Sequence, residues 1–150
     1  MRLQERVTIA LKSAMKLKDS TALTALRSVK SAILLAKTQS GSKENLSEIE
    51  EVKLLQKLIK QRRDSAEIFS KQNRSDLATP ELEEAEIISQ FLPEMMSDSE
   101  VEKFVIDAIN DLKAEGMKDM GKVMGFVTKK LSGKSDGKTI SFFVKKRLNN

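Results

Sequence analysis

The residues most able to do chemistry in this sequence are cations gathered near its end. Residues 117–150 contain nine Lys or Arg side chains and only two carboxylates, Asp119 and Asp136. Such an excess of ammonium and guanidinium groups is typical of surfaces that bind polyanions, above all the phosphates of nucleic acids. The alternative interpretation is that the lysines only solvate exposed helix faces. The nine candidate nucleic-acid-binding residues are Lys118, Lys122, Lys129, Lys130, Lys134, Lys138, Lys145, Lys146 and Arg147.

Charge changes sign along the chain, which favours a function for the basic end. The net charge is +5 over residues 1–30, +2 over residues 31–73, −7 over residues 74–100 and +5 over residues 101–150. An acidic middle therefore separates two basic ends.

The composition removes most kinds of catalytic and metal site. The sequence has no His, Cys, Trp or Tyr. It therefore lacks the residues for a disulfide framework, a zinc finger, a thiol nucleophile, a Ser-His-Asp triad or an imidazole acid–base. We expect no catalytic residue, no metal site and no cofactor in this chain.

Two short motifs look like catalytic signatures, but each lacks residues that the full signature requires. Residues 137–139 (GKT) match the end of a P-loop, yet the glycine that such a loop needs five positions earlier is Ser132. Residues 135–138 match the Ser-x-x-Lys signature of some hydrolases without its companion motifs. A helix cap by Asp136 or Ser135 explains this segment better.

Four glutamates crowd one short predicted helix, where they could hold a hard cation. Nothing else converges on them, and the helix dipole already favours acidic residues in the first turns of a helix. We therefore interpret them as structural. They are Glu81, Glu83, Glu84 and Glu86.

A second polar block lies in a long predicted helix, where Arg62 falls in register with the apolar residues. An arginine at a core-facing position needs its stem to pack and its guanidinium to meet a carboxylate, which predicts a pair with residues 81–86. A structural role or a partner contact is therefore favoured over ligand binding for Gln61, Arg62, Arg63 and Asp64.

Apolar residues recur at helical spacing along almost the whole chain, and no stretch alternates with period two for long enough to form a strand. We predict an all-α fold, with a helical N-terminal domain over residues 1–93 and a small three-helix C-terminal domain over residues 94–150. Pro93 sets the boundary, because it cannot donate to a continuing helix and the residue before it avoids helical geometry.

Cap and turn residues predict individual helix ends. Capping boxes begin helices after Ser47 and after Ser97. The polar residues 38–45 predict a loop, and Gly116 predicts the C-cap of the first helix after Pro93.

The apolar residues also predict which faces are buried. Pro80 is expected at a first helical position. The helix that follows it is expected to bury Leu82, Ala85, Ile88 and Leu92. The last helix is expected to bury Ile140, Phe143, Val144 and Leu148.

Aromatic residues bear on the mode of RNA binding. Reading of bases in single strands normally uses aromatic stacking, and a chain without Trp or Tyr is poorly equipped for it. Shape-directed binding of structured RNA through its phosphates fits the composition better.

Six segments together form a recognisable pattern: residues 26–33 (LRSVKSAI), 60–65 (KQRRDS), 74–78 (RSDLA), 91–93 (FLP), 117–125 (MKDMGKVMG) and 133–138 (GKSDGK). On these segments the chain resembles the YqeY-like proteins over its whole length. The most specific piece is 117–125 followed by an Asp-Gly turn.

The resemblance implies a C-terminal helical domain shared with the tail of GatB, a subunit of the glutamine-dependent amidotransferase that amidates mischarged Glu-tRNA or Asp-tRNA. In that enzyme the tail is a tRNA-binding appendage, and the catalytic sites lie on other domains. In or beside the motif that resembles this tRNA-contacting tail lie Lys118, Lys122, Lys129, Lys130 and Lys138. The resemblance assigns backbone roles to Gly121, Gly125, Gly133, Asp136 and Gly137.

We therefore expect a tRNA-binding, amidotransferase-associated protein without catalytic activity of its own. One alternative is a protein-interaction adaptor that uses the long helix 47–72 and the acidic residues 74–100. Another is an accessory component with carbon–nitrogen ligase activity and glutamine as amido-N-donor. The expected partners are tRNA and an amidotransferase or other protein, with no membrane. Since no signal peptide or membrane span is recognised, the expected location is the cytoplasm.

Overall fold

A computed structural model describes residues 1–39, 41 and 45–149, and within these residues the fold is all-α, as predicted. The described chain contains no strand. Seven α-helices and one short 3-10 helix, Met117–Asp119, follow one another along the sequence. The α-helices are α1 (Leu3–Leu17), α2 (Ser20–Gln39), α3 (Glu48–Lys71), α4 (Ser75–Ser89), α5 (Asp98–Leu112), α6 (Met120–Lys130) and α7 (Gly137–Leu148).

The helices form two compact units. Unit 1 is Met1–Leu92 and contains α1 to α4, and unit 2 is Pro93–Asn150 and contains α5 to α7. Each unit encloses an apolar core of its own. No helix in the described part of the chain is both long enough and apolar enough to cross a membrane.

In unit 1, α1 and α2 form an antiparallel hairpin. The Asp19 carboxylate begins α2 by accepting a hydrogen bond from the backbone N–H of Ala22 at 3.1 Å. At the far end of the hairpin the Lys37 ammonium donates to the Gln4 side chain at 2.6 Å. The core that the four helices enclose is apolar, and its buried residues include Leu3, Val7, Val29, Ile33, Leu55, Ile59, Ala85 and Ile88.

The predicted capping box at the start of α3 is present. The Ser47 hydroxyl accepts from the N–H of Glu50, and the Glu50 carboxylate accepts from the N–H of Ser47 at 2.7 Å. Two otherwise unpaired backbone donors are thereby satisfied. At the other end of α3, Asn73 takes a left-handed conformation (φ +59°) that reverses the chain into α4.

Arg62 is a largely buried charged residue of unit 1. Its side chain is 14% exposed, and its guanidinium donates to the Ser28 hydroxyl at 2.6 Å and to the Leu58 carbonyl at 3.2 Å. Its Nε lies 3.9 Å from the Glu84 carboxylate, which is 13% exposed. The arginine therefore ties α2, α3 and α4 together through its polar end while its stem fills space beside the core.

Burial also changes the pKa of Glu84. Loss of solvent raises the pKa of the Glu84 carboxyl above its usual value, although the nearby Arg62 charge acts in the opposite direction. Desolvation therefore exceeds the attraction between the two groups, as it often does for a partly buried ion pair held without close contact.

The start of α4 differs from the prediction. The helix begins at Ser75 instead of at Pro80, so the proline is its sixth residue and has no N–H to donate to the preceding turn. Packing against α3 explains the longer helix, because Ala78, upstream of the proline, is 3% exposed. Of the four residues predicted to be buried by this helix, Ala85 and Ile88 are buried and Leu92 is half-buried, but Leu82 is 51% exposed.

Two other predicted boundaries are also wrong. Thr38 and Gln39 belong to α2 instead of a loop, and residues 40 and 42–44 of that predicted loop lie outside the described residues. The C-cap of α5 is Lys113 instead of Gly116, since α5 ends at Leu112 and Lys113 takes the left-handed conformation (φ +53°). A single left-handed lysine costs only about 1–2 kcal/mol, which burial of the adjoining apolar stripe offsets.

In unit 2, α5, α6 and α7 surround a small core. The predicted capping box of Ser97 with Glu100 is present at the start of α5. The residues buried between the three helices are Val101, Val105, Ala108, Val123, Val127, Leu131, Ile140, Phe143, Val144 and Leu148. This set includes all four residues that the spacing of the last helix predicts to be buried.

Replacing Arg62 tests the role of this arginine in unit 1. We expect Arg62→Ala to lower the free energy of unfolding by roughly 3 kcal/mol, because the stem leaves a void and Glu84 is left buried without its cation. The exposed neighbour Arg63 is the control, and Arg63→Ala is expected to change the value by less than about 0.5 kcal/mol. Urea denaturation of the full chain measures both, and equal effects of the two substitutions would contradict the assignment.

Candidate nucleic-acid interface

Both carboxylates in residues 117–150 accept hydrogen bonds from backbone N–H groups. The Asp136 carboxylate caps α7 by accepting from the N–H of Thr139 at 2.7 Å, and this bond holds the pKa of Asp136 below its usual value. The Asp119 carboxylate accepts from the N–H of Glu115 at 2.9 Å. Each aspartate therefore builds a turn or a helix end, and the nearby charge of Lys138 also helps to lower the pKa of Asp136.

Two of the nine cations brace the turn between α5 and α6. The Lys118 ammonium lies 3.1 Å from the Glu115 carboxylate, with both side chains largely in solvent. The Lys122 ammonium donates to the carbonyl of Leu112, the last residue of α5, at 3.5 Å. These weak surface contacts leave both lysines accessible to a ligand.

Two further cations are held by a carboxylate of α5. The Arg147 guanidinium donates to Glu102 at 2.5 Å, and the Lys146 ammonium lies 3.3 Å from the same carboxylate. The hydrogen bond from Arg147 is the main reason that the pKa of Glu102 lies below its usual value. This cluster joins α7 to α5 and gives Arg147 and Lys146 an ion-pair partner within the described chain.

The remaining five cations make no ion pair within the described chain. Lys129, Lys138 and Lys145 are exposed, and Lys134 is half-buried. Lys130 lies over the Phe126 ring with 5.9 Å between its Nζ and the ring centroid. Residues seven apart share a face of an α-helix, so Lys129 lies on one face of α6 with Lys122, and Lys145 lies on one face of α7 with Lys138.

Glycines border the lysines of α6. Gly121 and Gly125 are exposed and four residues apart, and a Cβ added to either would meet no atom within 4 Å. Gly137, the first residue of α7, has the same free space. Gly133 is different, because it is buried and its left-handed backbone (φ +81°) makes the turn between α6 and α7.

One exposed residue of α7 is absent from the binding residues that the sequence predicts. The Phe142 side chain is 60% exposed, although it is adjacent to the buried Phe143. Its ring meets that of Phe143 edge to face, with 5.1 Å between centroids and 79° between planes. Its spacing is a signal that could have identified it, because it lies four residues after Lys138 and three before Lys145.

The polar block in unit 1 does not form a ligand site in the described chain. Gln61, Arg63 and Asp64 are exposed, and Asp64 pairs with Lys60 at 2.6 Å on the surface of α3. Arg62 points to the core as described above. Within the described residues, no three carboxylates lie close enough together to hold a metal ion.

Comparison with known proteins gives matches of two kinds. A family model described as Yqey-like protein matches residues 4–148. "Altered inheritance of mitochondria protein 41, mitochondrial" of Clavispora lusitaniae is 36% identical over 108 residues, which cover 71% of this chain and 62% of that protein. The protein of the same name from Pyrenophora tritici-repentis is 29% identical over 132 residues, which cover 87% of this chain and 71% of that protein.

The second kind of match is shorter. A protein of Thermococcus gammatolerans that is named as a subunit of glutamyl-tRNA(Gln) amidotransferase is 32% identical over 73 residues, or 46% of this chain and 12% of that protein. The chain spans about three fifths of the length of the first curated relatives that it matches.

The expected cytoplasmic location is wrong. Several of the relatives are named as mitochondrial proteins, which points to mitochondria rather than the cytoplasm. The expectation rested on the lack of a recognisable signal peptide or membrane span, and the lack of these segments does not select one compartment.

The Glu102 cluster predicts how the stability of unit 2 depends on pH. A carboxyl whose pKa is lowered in the folded state adds stability above its ordinary pKa, and this stability is lost as the pH falls through the lowered value. We therefore expect Glu102→Gln to destabilise the protein at neutral pH and to match the wild type in acid. Urea denaturation over a pH series measures the difference. The control is Glu115→Gln, because the ion pair of Glu115 with Lys118 is highly exposed. If the free energy of unfolding of Glu102→Gln differed from that of the wild type by the same amount at all pH values, this role of Glu102 would be contradicted.

Proposed function

The chain belongs to the YqeY-like family, and from this premise we propose that it binds structured RNA, with tRNA as the favoured ligand, through the basic surface of α6 and α7. We call the exposed cations Lys122, Lys129, Lys138 and Lys145 of these helices the basic surface. They contact the phosphates of the RNA, and the protein acts as a binding module.

The observation that carries this proposal is the excess of nine cations over two carboxylates in residues 117–150. Residues 117–150 contain two aspartates, and both accept hydrogen bonds from backbone N–H groups. Cations that are merely solvated are usually interspersed with acidic residues, as on α3, where Lys60 pairs with Asp64 and Lys71 with Glu67. An uncompensated positive surface attracts a polyanion and releases the counterions of that polyanion on binding.

The exposed glycines give independent support. A glycine inside a helix costs about 1 kcal/mol relative to alanine, so its presence calls for a reason. Packing within the chain supplies none at Gly121 or Gly125, because the space of a Cβ is empty at both. A smooth helix surface beside Lys122 and Lys129 allows the backbone of a ligand to come within contact of α6.

Relatives make tRNA the favoured RNA. The relative in Thermococcus gammatolerans is named as part of an amidotransferase that acts on glutamyl-tRNA, and it shares a 73-residue stretch with this chain. That stretch is 12% of the relative, which fits a small appended module better than a catalytic centre. An association of this chain with an amidotransferase follows as part of the proposal, with the amidating chemistry supplied by that enzyme.

A second candidate function is supported by α4. This helix carries five acidic side chains and no basic one, and Leu77 and Leu82 are exposed on it. Acidic and apolar groups on one exposed helix suit a basic protein partner. Purification of the tagged protein from cells separates the candidates, because RNA recovered with the chain supports the first and a nuclease-resistant protein partner without RNA supports the second.

The salt dependence of tRNA binding tests the proposed function. Each phosphate contact contributes about −0.9 to the slope of log affinity against log salt for duplex nucleic acid. Replacing Lys129, Lys138 and Lys145 together by Ala is therefore expected to flatten the slope by roughly 2 to 3 and to weaken binding of all tRNAs alike. None of the three is buried or ion-paired within the described chain, so the fold is preserved.

The matched control removes the same charge from unit 1. Lys53, Lys57 and Arg63 are exposed on α3, and their triple replacement by Ala is expected to change the slope by less than about 1. Equal slopes for wild type and the first variant would eliminate the basic surface as the binding site. Heparin binding as tight as that of tRNA would reduce the interaction to nonspecific electrostatics.

A further inference from the structure

Phe142 is an aromatic residue in an unusual place. All six phenylalanines lie in the described chain, and the other five are buried or half-buried, whereas Phe142 is 60% exposed. Full burial of a phenylalanine contributes about 1.5–3 kcal/mol to stability, and this side chain forgoes most of that gain. Its exposure therefore leaves an aromatic ring available for a contact outside the chain.

The position of Phe142 on α7 gives that contact a chemical character. The buried residues Ile140 and Val144 lie two positions away on either side, which places them on the opposite face of the helix. Lys138 and Lys145, four residues before and three after, share the exposed face with the ring. One flat apolar surface thus lies between two ammonium groups that make no ion pair within the described residues.

The ring is also held in place. Phe143 supports it edge to face at 5.1 Å, and Phe143 itself is only 7% exposed and belongs to the core of unit 2. Edge-to-face contacts of this kind contribute about 0.5–1.5 kcal/mol beyond the buried area. A ring that is already oriented loses little conformational entropy when a second flat group stacks on it.

A nucleobase suits this surface better than an apolar partner does. Protein or membrane partners that bind a helix through apolar contacts need several exposed apolar side chains at helical spacing, and Phe142 is the one large exposed apolar residue in the described part of α7. Base stacking needs a single ring, and the adjoining phosphates need cations on either side.

We propose that Phe142 stacks on an unpaired base of the bound RNA while Lys138 and Lys145 contact the phosphates beside that base. This inference rests on the proposed function and makes it more specific. The preferred ligand is then a structured RNA with at least one unpaired nucleotide, instead of a blunt duplex. It also revises the sequence-based interpretation that the chain is poorly equipped to stack on bases.

The composition provides a direct test, because the natural chain contains no Trp and no Tyr. Phe142→Trp introduces a sole tryptophan whose fluorescence is quenched when a base stacks on it. The probes are an RNA hairpin with a single-stranded 3′ overhang and a blunt RNA duplex with the same number of phosphates. We expect quenching by the first RNA and little by the second. Leu82→Trp, at a residue of similar exposure in unit 1, is the matched control and is expected to stay unquenched by both.

Affinities measured on the natural background complete the test. Base stacking on an aromatic residue contributes about 1–3 kcal/mol, so Phe142→Ala is expected to weaken binding of the overhang RNA by roughly 5- to 150-fold and to leave the blunt duplex nearly unchanged. Phe142→Tyr keeps a flat ring and should retain wild-type affinity. Phe142→Leu keeps apolar bulk alone and should behave as Phe142→Ala does.

The outcomes separate this inference from the proposed function. If the Lys129, Lys138 and Lys145 variant loses affinity while Phe142→Ala binds both RNAs as the wild type does, stacking is overturned and phosphate binding stands. Equal losses for overhang and blunt RNA in Phe142→Ala would also overturn stacking. If neither variant changes RNA binding, the basic surface itself is excluded.

Discussion

The basic surface depends on how two aspartates are used. Asp119 and Asp136 are the only acidic side chains in residues 117–150, and each accepts a hydrogen bond from a backbone N–H. Because these carboxylates hold the turn before α6 and the start of α7, they fix the backbone that positions the lysines, and their two negative charges offset only part of the nine positive charges. A third acid, Glu102 on α5, holds Arg147 and Lys146. What is left is a set of exposed cations with no ion-pair partner in the described chain, on a rigid helical support.

Local patterns predicted much of the fold. The all-α class, the capping boxes at Ser47 and Ser97 and the buried residues of α7 depend on spacing within one or two helical turns, and all are present in the structure. The inward position of Arg62 followed from the same periodicity. Features that depend on packing between helices were not predictable in this way, as the early start of α4 before Pro80 shows.

The same distinction between local patterns and contacts across helices applies to the candidate site. Sequence identified the excess of cations, but it could not separate Arg147, held by a carboxylate 45 residues away, from Lys138 and Lys145, which have no ion-pair partner in the described chain. Nor did the excess of charge reveal Phe142, although the spacing of the last helix had left this residue outside the predicted buried set. Partner choice across helices and side-chain exposure thus decide which cations are free of ion pairs in the described chain.

The most direct measurement of the central claim is an amide chemical-shift map of the ¹⁵N-labelled full chain during titration with tRNA. Glycine amides resonate apart from most others, so Gly121, Gly125 and Gly137 report on the start and middle of α6 and on the start of α7. We predict that the largest shift changes occur at these glycines and at their neighbours on α6 and α7, and that they diminish as salt is added. Shift changes confined to α3 and α4, with α6 and α7 unaffected, would contradict the assignment of RNA binding to the basic surface.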